Sequence, residues 1–581
     1  MTTTTTSSEE ALVSARVGFD ALFSNELAEA RDVFSAGQSA FHQLGFGVCA
    51  FLEAALGMET SRMAEAGKSL AAAEAGAKKL KGVEWEVVAA DAVVLQGLVH
   101  ALSESYMGYA QCLYALNSAH SRFAKLFASV FPNGLDAPHQ PVSRKPSSVF
   151  RWSKEEAPAP PPAPAVDGLI AAGTAFGYGL FNLGVQGVAG LLGYKHDRAL
   201  ALRALAYAAA RDDTHSVFAG LVLMTYNGVV LLLAGWQADE AKLVREYRAI
   251  VDRTTAKYPA GALWILNHAK IQRMTGQAAE AIQTLESGLA PGRPHTFQQA
   301  DALLVFELAW TQLALRRYED AAATFIRMTE LNSWSHATYY FIAAGAHISA
   351  AHEHKDPVRA SESMIRAQQL LDAIPALLET RKLTGKDLPT EVFIRKKLAF
   401  YTTKQRNLGG DPARYAEAVG VSLAEEIGVF WNTHQRIPAS VAAAHIKAWA
   451  GVEPKVDLEP SSLLLGVVLR TLGASMALLA RSRSLLQEAR KTPVQVNTWV
   501  PGVAAFEEGV LELVSAEPNW PTALRTASAH LDAALAASGS SVDLSSRLDS
   551  RVTMLRDEIR GKGEALTRGS GEKLSIMLIW C

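Results

Sequence analysis

Between Gly168 and Tyr194 the chain places no charged residue, and 8 of these 27 positions are glycine. Such a run has two uses, a close-packed helical core or a bilayer. On length alone this run and Thr214–Ala238 could each cross a membrane, which takes roughly 20 apolar residues, and Gly173-x-x-x-Gly177 offers a close-packing face. The glycines argue the other way, since each costs an isolated helix about 1 kcal/mol relative to alanine. In the second run Gly220, Tyr226, Asn227 and Gly228 fit a helix packed on all sides. The expectation is two central core helices, with membrane contact at most peripheral.

The rest of the chain is helix-compatible. Ser7-Ser8-Glu9-Glu10 has capping-box spacing, in which Ser7 and Glu10 each satisfy an amide the first helical turn leaves unpaired. Val17, Leu22, Phe23, Ala30, Phe34, Phe41, Leu44 and Phe51 then recur at roughly helical spacing, with short polar breaks that predict helix hairpins. Two long helices are expected over Val83–Phe131, hinged near Ser103-Glu104-Ser105. No stretch alternates apolar and polar residues between hairpin turn residues, so no sheet is expected. Residues 131–165 hold 9 of the 23 prolines and cannot sustain helix. The expected organisation is a disordered N-terminus (1–9), an N-terminal helical-hairpin lobe (10–131), a Pro-rich linker or loop (132–165), a main solenoid (166–566) and a tail (567–581). Later helices are expected at Pro357–Leu371, Pro412–Phe430, Ala439–Ala450, Ser461–Ala489 and Trp499–Ser515, before a last hairpin of Pro521–Ala537 and Leu544–Leu566.

Two segments show how these helices pack. Gly276 to Ile282 is followed by Leu285, four residues after Ala281. Arg317-Tyr318-Glu319-Asp320-Ala321-Ala322 is followed by Phe325, four residues after Ala321. A small residue that admits the neighbouring helix, with a bulky one a turn later to fill the gap, resembles the tetratricopeptide repeat; Leu308 and Ala309 stand where that repeat has its first-helix packing pair. The two alanines lie 40 residues apart, not 34, so the fold class expected is all-α: an α-solenoid of irregular tetratricopeptide-like hairpins.

Chemistry-bearing motifs are absent or fail. Gly177-Tyr178-Gly179 followed by Gly184 has its third glycine two positions late for a dinucleotide fingerprint, with no preceding strand. Ala66-Gly67-Lys68-Ser69 lacks a phosphate loop's first glycine, Arg62 standing there. His352 and His354 point apart on a helix, so a solvated helix end is expected rather than a metal site. Trp334, Tyr339, Tyr340 and Phe341 read as core rather than a ligand cage. The 56 basic and 58 acidic residues nearly cancel, without the basic tract a nucleic-acid surface needs. Three cysteines without close spacing (Cys49, Cys112, Cys581) suit a reducing compartment, and MTTTTTSSEE has no secretory-signal pattern. No catalytic residue, cofactor or metal is expected.

The block GTAFGYGLFNLGVQGVAGLLGYKHDR carries a family resemblance. Gly177, Gly179, Phe181, Asn182, Leu183, Gly193, Asp197 and Arg198 match the signature of the fungal inclusion body clearance proteins and their animal relatives, tetratricopeptide repeat protein 39. The chain departs from that signature at Gln186-Gly187-Val188, where the family has Leu-Pro-Pro. Glu104-Ser105-Tyr106, Tyr258–Gly288 and Trp499–Leu513 resemble the family in the same order. The resemblance implies a non-enzymatic helical scaffold of cytoplasm and nucleus that clears misfolded-protein inclusions after folding stress. It also implies protein partners among inclusion bodies and lipid-droplet-associated proteins. A lipid- or sterol-binding helical protein, or one at the mitochondrial outer membrane, is the alternative.

Overall fold

A computed structural model describes residues 7–57, 60–102, 106–137, 164–184, 197–332, 334–378, 388–450, 458–473, 475–494, 496–517, 519–539 and 542–579. Among them there are helices and no strand. Gly193, the hinge at 103–105 and most of the Pro-rich segment lie outside the described residues. The chain divides into two compact units: residues 1–226, 249–267 and 290–301 form one, and 227–248, 268–289 and 302–581 the other. The division does not follow the Pro-rich segment, because Pro164–Gly184 packs on Val83–Leu102 and Tyr106–Val130 from before it.

The first unit opens with the capping box. The Glu10 amide donates to Ser7 Oγ at 3.2 Å and the Ser7 amide to Glu10 Oε2 at 3.0 Å, which satisfies two of the amides a helix start leaves orphaned. Helices Ser8–Phe23, Leu27–Ala36, Ala40–Gly57, Thr60–Lys78 and Val83–Leu102 each pack on the next. The ring of Phe23 meets Phe218, Tyr258 and Trp264 at centroid distances of 5.3, 5.4 and 6.1 Å. Trp264 Nε1 donates to the Phe23 carbonyl at 2.9 Å, so this buried indole keeps its hydrogen bond as its ring enters the core.

In the second unit two expected helices are broken. Pro412–Phe430 resolves into a 3-10 turn, Pro412–Ala418, and a helix, Leu423–Phe430, whose start is capped by Ser422. Ser461–Ala489 resolves into Leu458–Leu472 and Met476–Lys491; Gly473 takes the left-handed conformation (φ +49°) and Ser475 caps the second helix. Glycine leaves a helix at little steric cost and a following serine starts a new one. Conversely Pro357–Leu377 runs six residues past the expected Leu371 and contains Pro375.

Among the described residues three helices are long and apolar enough to cross a membrane: Ala40–Gly57, Val83–Leu102 and Thr214–Leu233. More than half of each is buried inside the protein. The sequence reading singled out only the third.

Candidate functional site

The signature residues of the first unit serve close packing. A Cβ at Gly177 would lie 2.1 Å from the Phe123 ring, and one at Gly179 2.7 Å from Leu205 Cγ and 2.8 Å from the Ala201 carbonyl oxygen. Only glycine lets Tyr106–Val130 and Arg198–Ala209 approach Pro164–Gly184 this closely. Phe181 is buried with its ring 4.9 Å from that of His120. Buried Asn182 donates its side-chain amide to the Tyr178 carbonyl at 2.8 Å, and Leu183 is half-buried. Asp197 caps Arg198–Ala209 by accepting from the Leu200 amide at 2.9 Å, while the Arg198 guanidinium lies 4.9 Å above the Tyr226 ring. At Gly173 a Cβ would meet the His215 ring at 2.9 Å, so this glycine leaves the slot His215 fills. There His215 Nε2 bonds Asp91 Oδ2 at 2.8 Å, with Asp213 beyond. Burial works to lower the imidazole's pKa, but Asp91 and Asp213 outweigh it and hold the group up at about 10.

In the second unit the 40-residue offset proves structural. Gln272 and Gln312 each accept, through Oε1, a 2.8 Å hydrogen bond from the threonine hydroxyl twelve residues on, Thr284 and Thr324. The amides of Gln277 and Arg317 return to the carbonyls of the same glutamines at 2.8 and 2.9 Å. Gly276 (φ +83°) and Arg316 (φ +59°) occupy the same left-handed position in the two turns. Ala281, Leu285, Leu308, Ala309, Tyr318, Ala321 and Phe325 are all buried.

Around the second turn stands a polar cluster that the sequence did not reveal. The Tyr318 hydroxyl donates to Glu425 Oε1 at 2.8 Å across 107 residues of chain. Glu425 Oε2 lies 2.6 Å from His434 Nε2, and Arg316 Nη1 lies 2.6 Å from His445 Nδ1 while its other amino group pairs with Glu353. Glu425, His434 and His445 are all buried. Burial pushes His445 down to about 3, reinforced by the charge of Arg316 and opposed by Glu425. For Glu425 burial acts upward, but the two histidines and the Tyr318 hydroxyl prevail and hold the carboxyl down at about 2. The ligand atoms of Glu425, His434 and His445 lie within 4.8 Å of one another, close enough for a cation. Their bonds are already committed, however, and the Arg316 guanidinium occupies the His445 nitrogen a metal would need. The arrangement is a buried charge network that ties the repeat turn to Leu423–Phe430 and Ala439–Ala450.

Two neighbouring networks follow the same plan. Lys397 Nζ lies 2.8 Å from Glu426 Oε2 and 3.0 Å from Asn497 Oδ1, and Glu507 is shared by Arg470 at 2.6 Å and Arg551 at 2.9 Å. Each joins residues far apart in sequence, so no local motif announces them. His352 and Glu353 form the exposed C-terminal end of His336–Glu353, whereas the capping His354 is half-buried, its Nε2 3.3 Å from Glu319 Oε1, so the expected solvated end holds only in part. In the aromatic group Tyr339 and Phe341 are buried, while Trp334 and Tyr340 are half-buried.

Paired helices stacked in chain order, with one turn matched 40 residues on, define a tetratricopeptide-like helical-repeat protein. Its family can be stated as well: the profile of Iml2/Tetratricopeptide repeat protein 39 matches residues 16–472, and the chain belongs to that family. It is similar to the inclusion body clearance protein IML2 of Schizosaccharomyces pombe, 26% identical over 94% of this chain and 96% of the relative. A Yarrowia lipolytica protein of that name is 24% identical over 84% and 85%, and one of Aspergillus niger 25% identical over 72% and 70%.

Proposed function

We propose that this chain is a non-enzymatic helical scaffold that takes part in clearing inclusion bodies of misfolded protein, working in cytoplasm and nucleus with lipid-droplet-associated proteins. The observation that carries this reading is end-to-end similarity to relatives named for inclusion body clearance. The fold agrees with it: stacked helical hairpins are a common framework for holding partner segments, and the buried ionisable groups described above are engaged with one another rather than turned toward a substrate. The test is replacement of the Schizosaccharomyces pombe relative by this chain, followed by heat stress and timing of the loss of fluorescent inclusions. Restored clearance, with droplet proteins recovered on the tagged chain, is expected. Inclusions that persist despite normal levels of the chain would overturn the role, and clearance without droplet proteins would remove that partner class.

The lipid- or sterol-carrier alternative is less favoured. Two cavities among the described residues measure about 40 and 200 Å3, below the roughly 300–1,000 Å3 of sites that enclose a small organic ligand. Membrane contact, at the mitochondrial outer membrane or a droplet, is proposed as peripheral, and alkaline extraction should release the chain.

A further inference from the structure

Within the second unit a partly open cavity of about 40 Å3 is walled by Phe306, Trp310, Trp334, Tyr339, Ile427 and Trp431, with Arg547 at its edge. The walls are aromatic and mutually braced. Trp431 lies 5.5 Å from Trp310 and 6.1 Å from Phe306 by ring centroids, and Trp334 lies 5.6 Å from Tyr339. Two donors here lack acceptors among the described residues. Trp310 is only 4% exposed, and its Nε1–H is buried without a hydrogen-bond partner. The exposed Arg547 guanidinium sits 4.1 Å above the Trp431 ring. Several arginines of this unit are paired (Arg316 with Glu353, Arg470 and Arg551 with Glu507, Arg556 with Asp532); Arg547 has no carboxylate among the described residues.

A guanidinium stacked on an indole is preorganised to receive a planar anion, and the aromatic walls beside it receive an apolar group. Charge and shape therefore call for the same guest. We propose that this cavity is a docking site for a segment of a partner protein in which a branched aliphatic side chain stands next to an acidic residue. The aliphatic side chain enters the aromatic box and the carboxylate meets Arg547. Size selects a peptide: the space takes the end of one side chain and leaves no room for an acyl chain or a sterol. The site goes beyond the proposed function and does not depend on inclusion clearance.

The test uses the full chain labelled with 5-fluorotryptophan, the resonances of Trp310 and Trp431 being assigned by Trp→Phe variants. Acetyl-Gly-Leu-Asp-Gly-amide is titrated against its isosteric Asn counterpart, with octanoate as a third arm. Saturable shifts of the Trp310 and Trp431 resonances by the Asp peptide, about tenfold weaker for the Asn peptide as loss of a charge-assisted pair implies, are expected. Arg547→Gln, an exposed change that should leave helical circular dichroism unaltered, should abolish the preference for Asp. Absence of shifts, equal response to both peptides, or a preference that survives Arg547→Gln would overturn the site. Octanoate acting more strongly than the Asp peptide would reassign the cavity to a lipid carboxylate and equally overturn the proposal.

Discussion

The two hairpins built on Ala262–Met274 with Ala278–Gly288, and on Gln298–Ala314 with Tyr318–Leu331, share the hydrogen bonds of a turn but not a purpose. At the left-handed position the first has Gly276, with nothing near a would-be Cβ. The second has Arg316, whose side chain reaches His445 and Glu353. Just after it the first has Ala278 and the second Tyr318, whose hydroxyl holds Glu425. A non-glycine residue at such a position costs about 1 kcal/mol or more, and at Arg316 the guanidinium's bonds to His445 and Glu353 offset it. The same turn geometry is thus a plain connector in one hairpin and an anchor for distant chain in the other.

The largest expected effect breaks that anchor. Glu425→Leu strands Tyr318 and two histidines in the core and should cost about 3–5 kcal/mol in denaturant unfolding, the usual penalty for removing one member of a buried ionic cluster; the first hairpin has no counterpart to lose. The same cluster should make the protein acid-sensitive. Folded-state pKa values depressed at Glu425 and His445 mean that stability present above pH 6.5 is lost as pH falls toward about 2, first through His445 and then through Glu425. His445→Gln should flatten the upper part of that slope. His215 in the first unit runs oppositely: its raised pKa gives stability complete below pH 6.5 and lost as pH rises through about 10, a loss that His215→Gln should remove.

Next, Ala281→Leu and Ala321→Leu should each cost about 1–3 kcal/mol, since both alanines are fully buried and an added isobutyl group overpacks the joint. Unequal losses would show that only one hairpin is closely packed. Gly276→Ala should cost about 1 kcal/mol from backbone strain alone. Arg316→Gly relieves that strain but removes a charge-assisted bond worth about 1.5–3 kcal/mol, and should therefore still destabilise; a rise in Tm would break the contrast. The smallest effects, about 0.5–1.5 kcal/mol each, are expected for Thr284→Val and Thr324→Val, and their near equality would confirm the shared turn.

How far these features were legible in the sequence depended on their range. Ala281, Ala321 and Phe325 were legible because helical packing imposes a small-then-large spacing within one turn. Ser7 and Glu10 were legible because a cap acts over three residues. The break at Gly473–Ser475 was missed because apolar spacing continues across it, although glycine followed by serine was a usable cue. Trp334 and Tyr339 read correctly as packed aromatics, but no spacing told that Trp431 and Arg547 complete a box around them. The signature glycines Gly177 and Gly179 were recognised by resemblance; that they admit Phe123 and Leu205 required coordinates.

The sequence by itself determined the helical class, the 40-residue offset and the family, because each rests on patterns repeated along the chain within a few helical turns. Tertiary structure alone decided that Glu425, His434, His445 and Arg316 form one network, that Lys397 and Glu507 find their partners, and that Arg547 meets no carboxylate among the described residues. Desolvated charges must be paired wherever the fold brings a partner, and in stacked helices that partner comes from a hairpin dozens of residues away, beyond the reach of any local pattern.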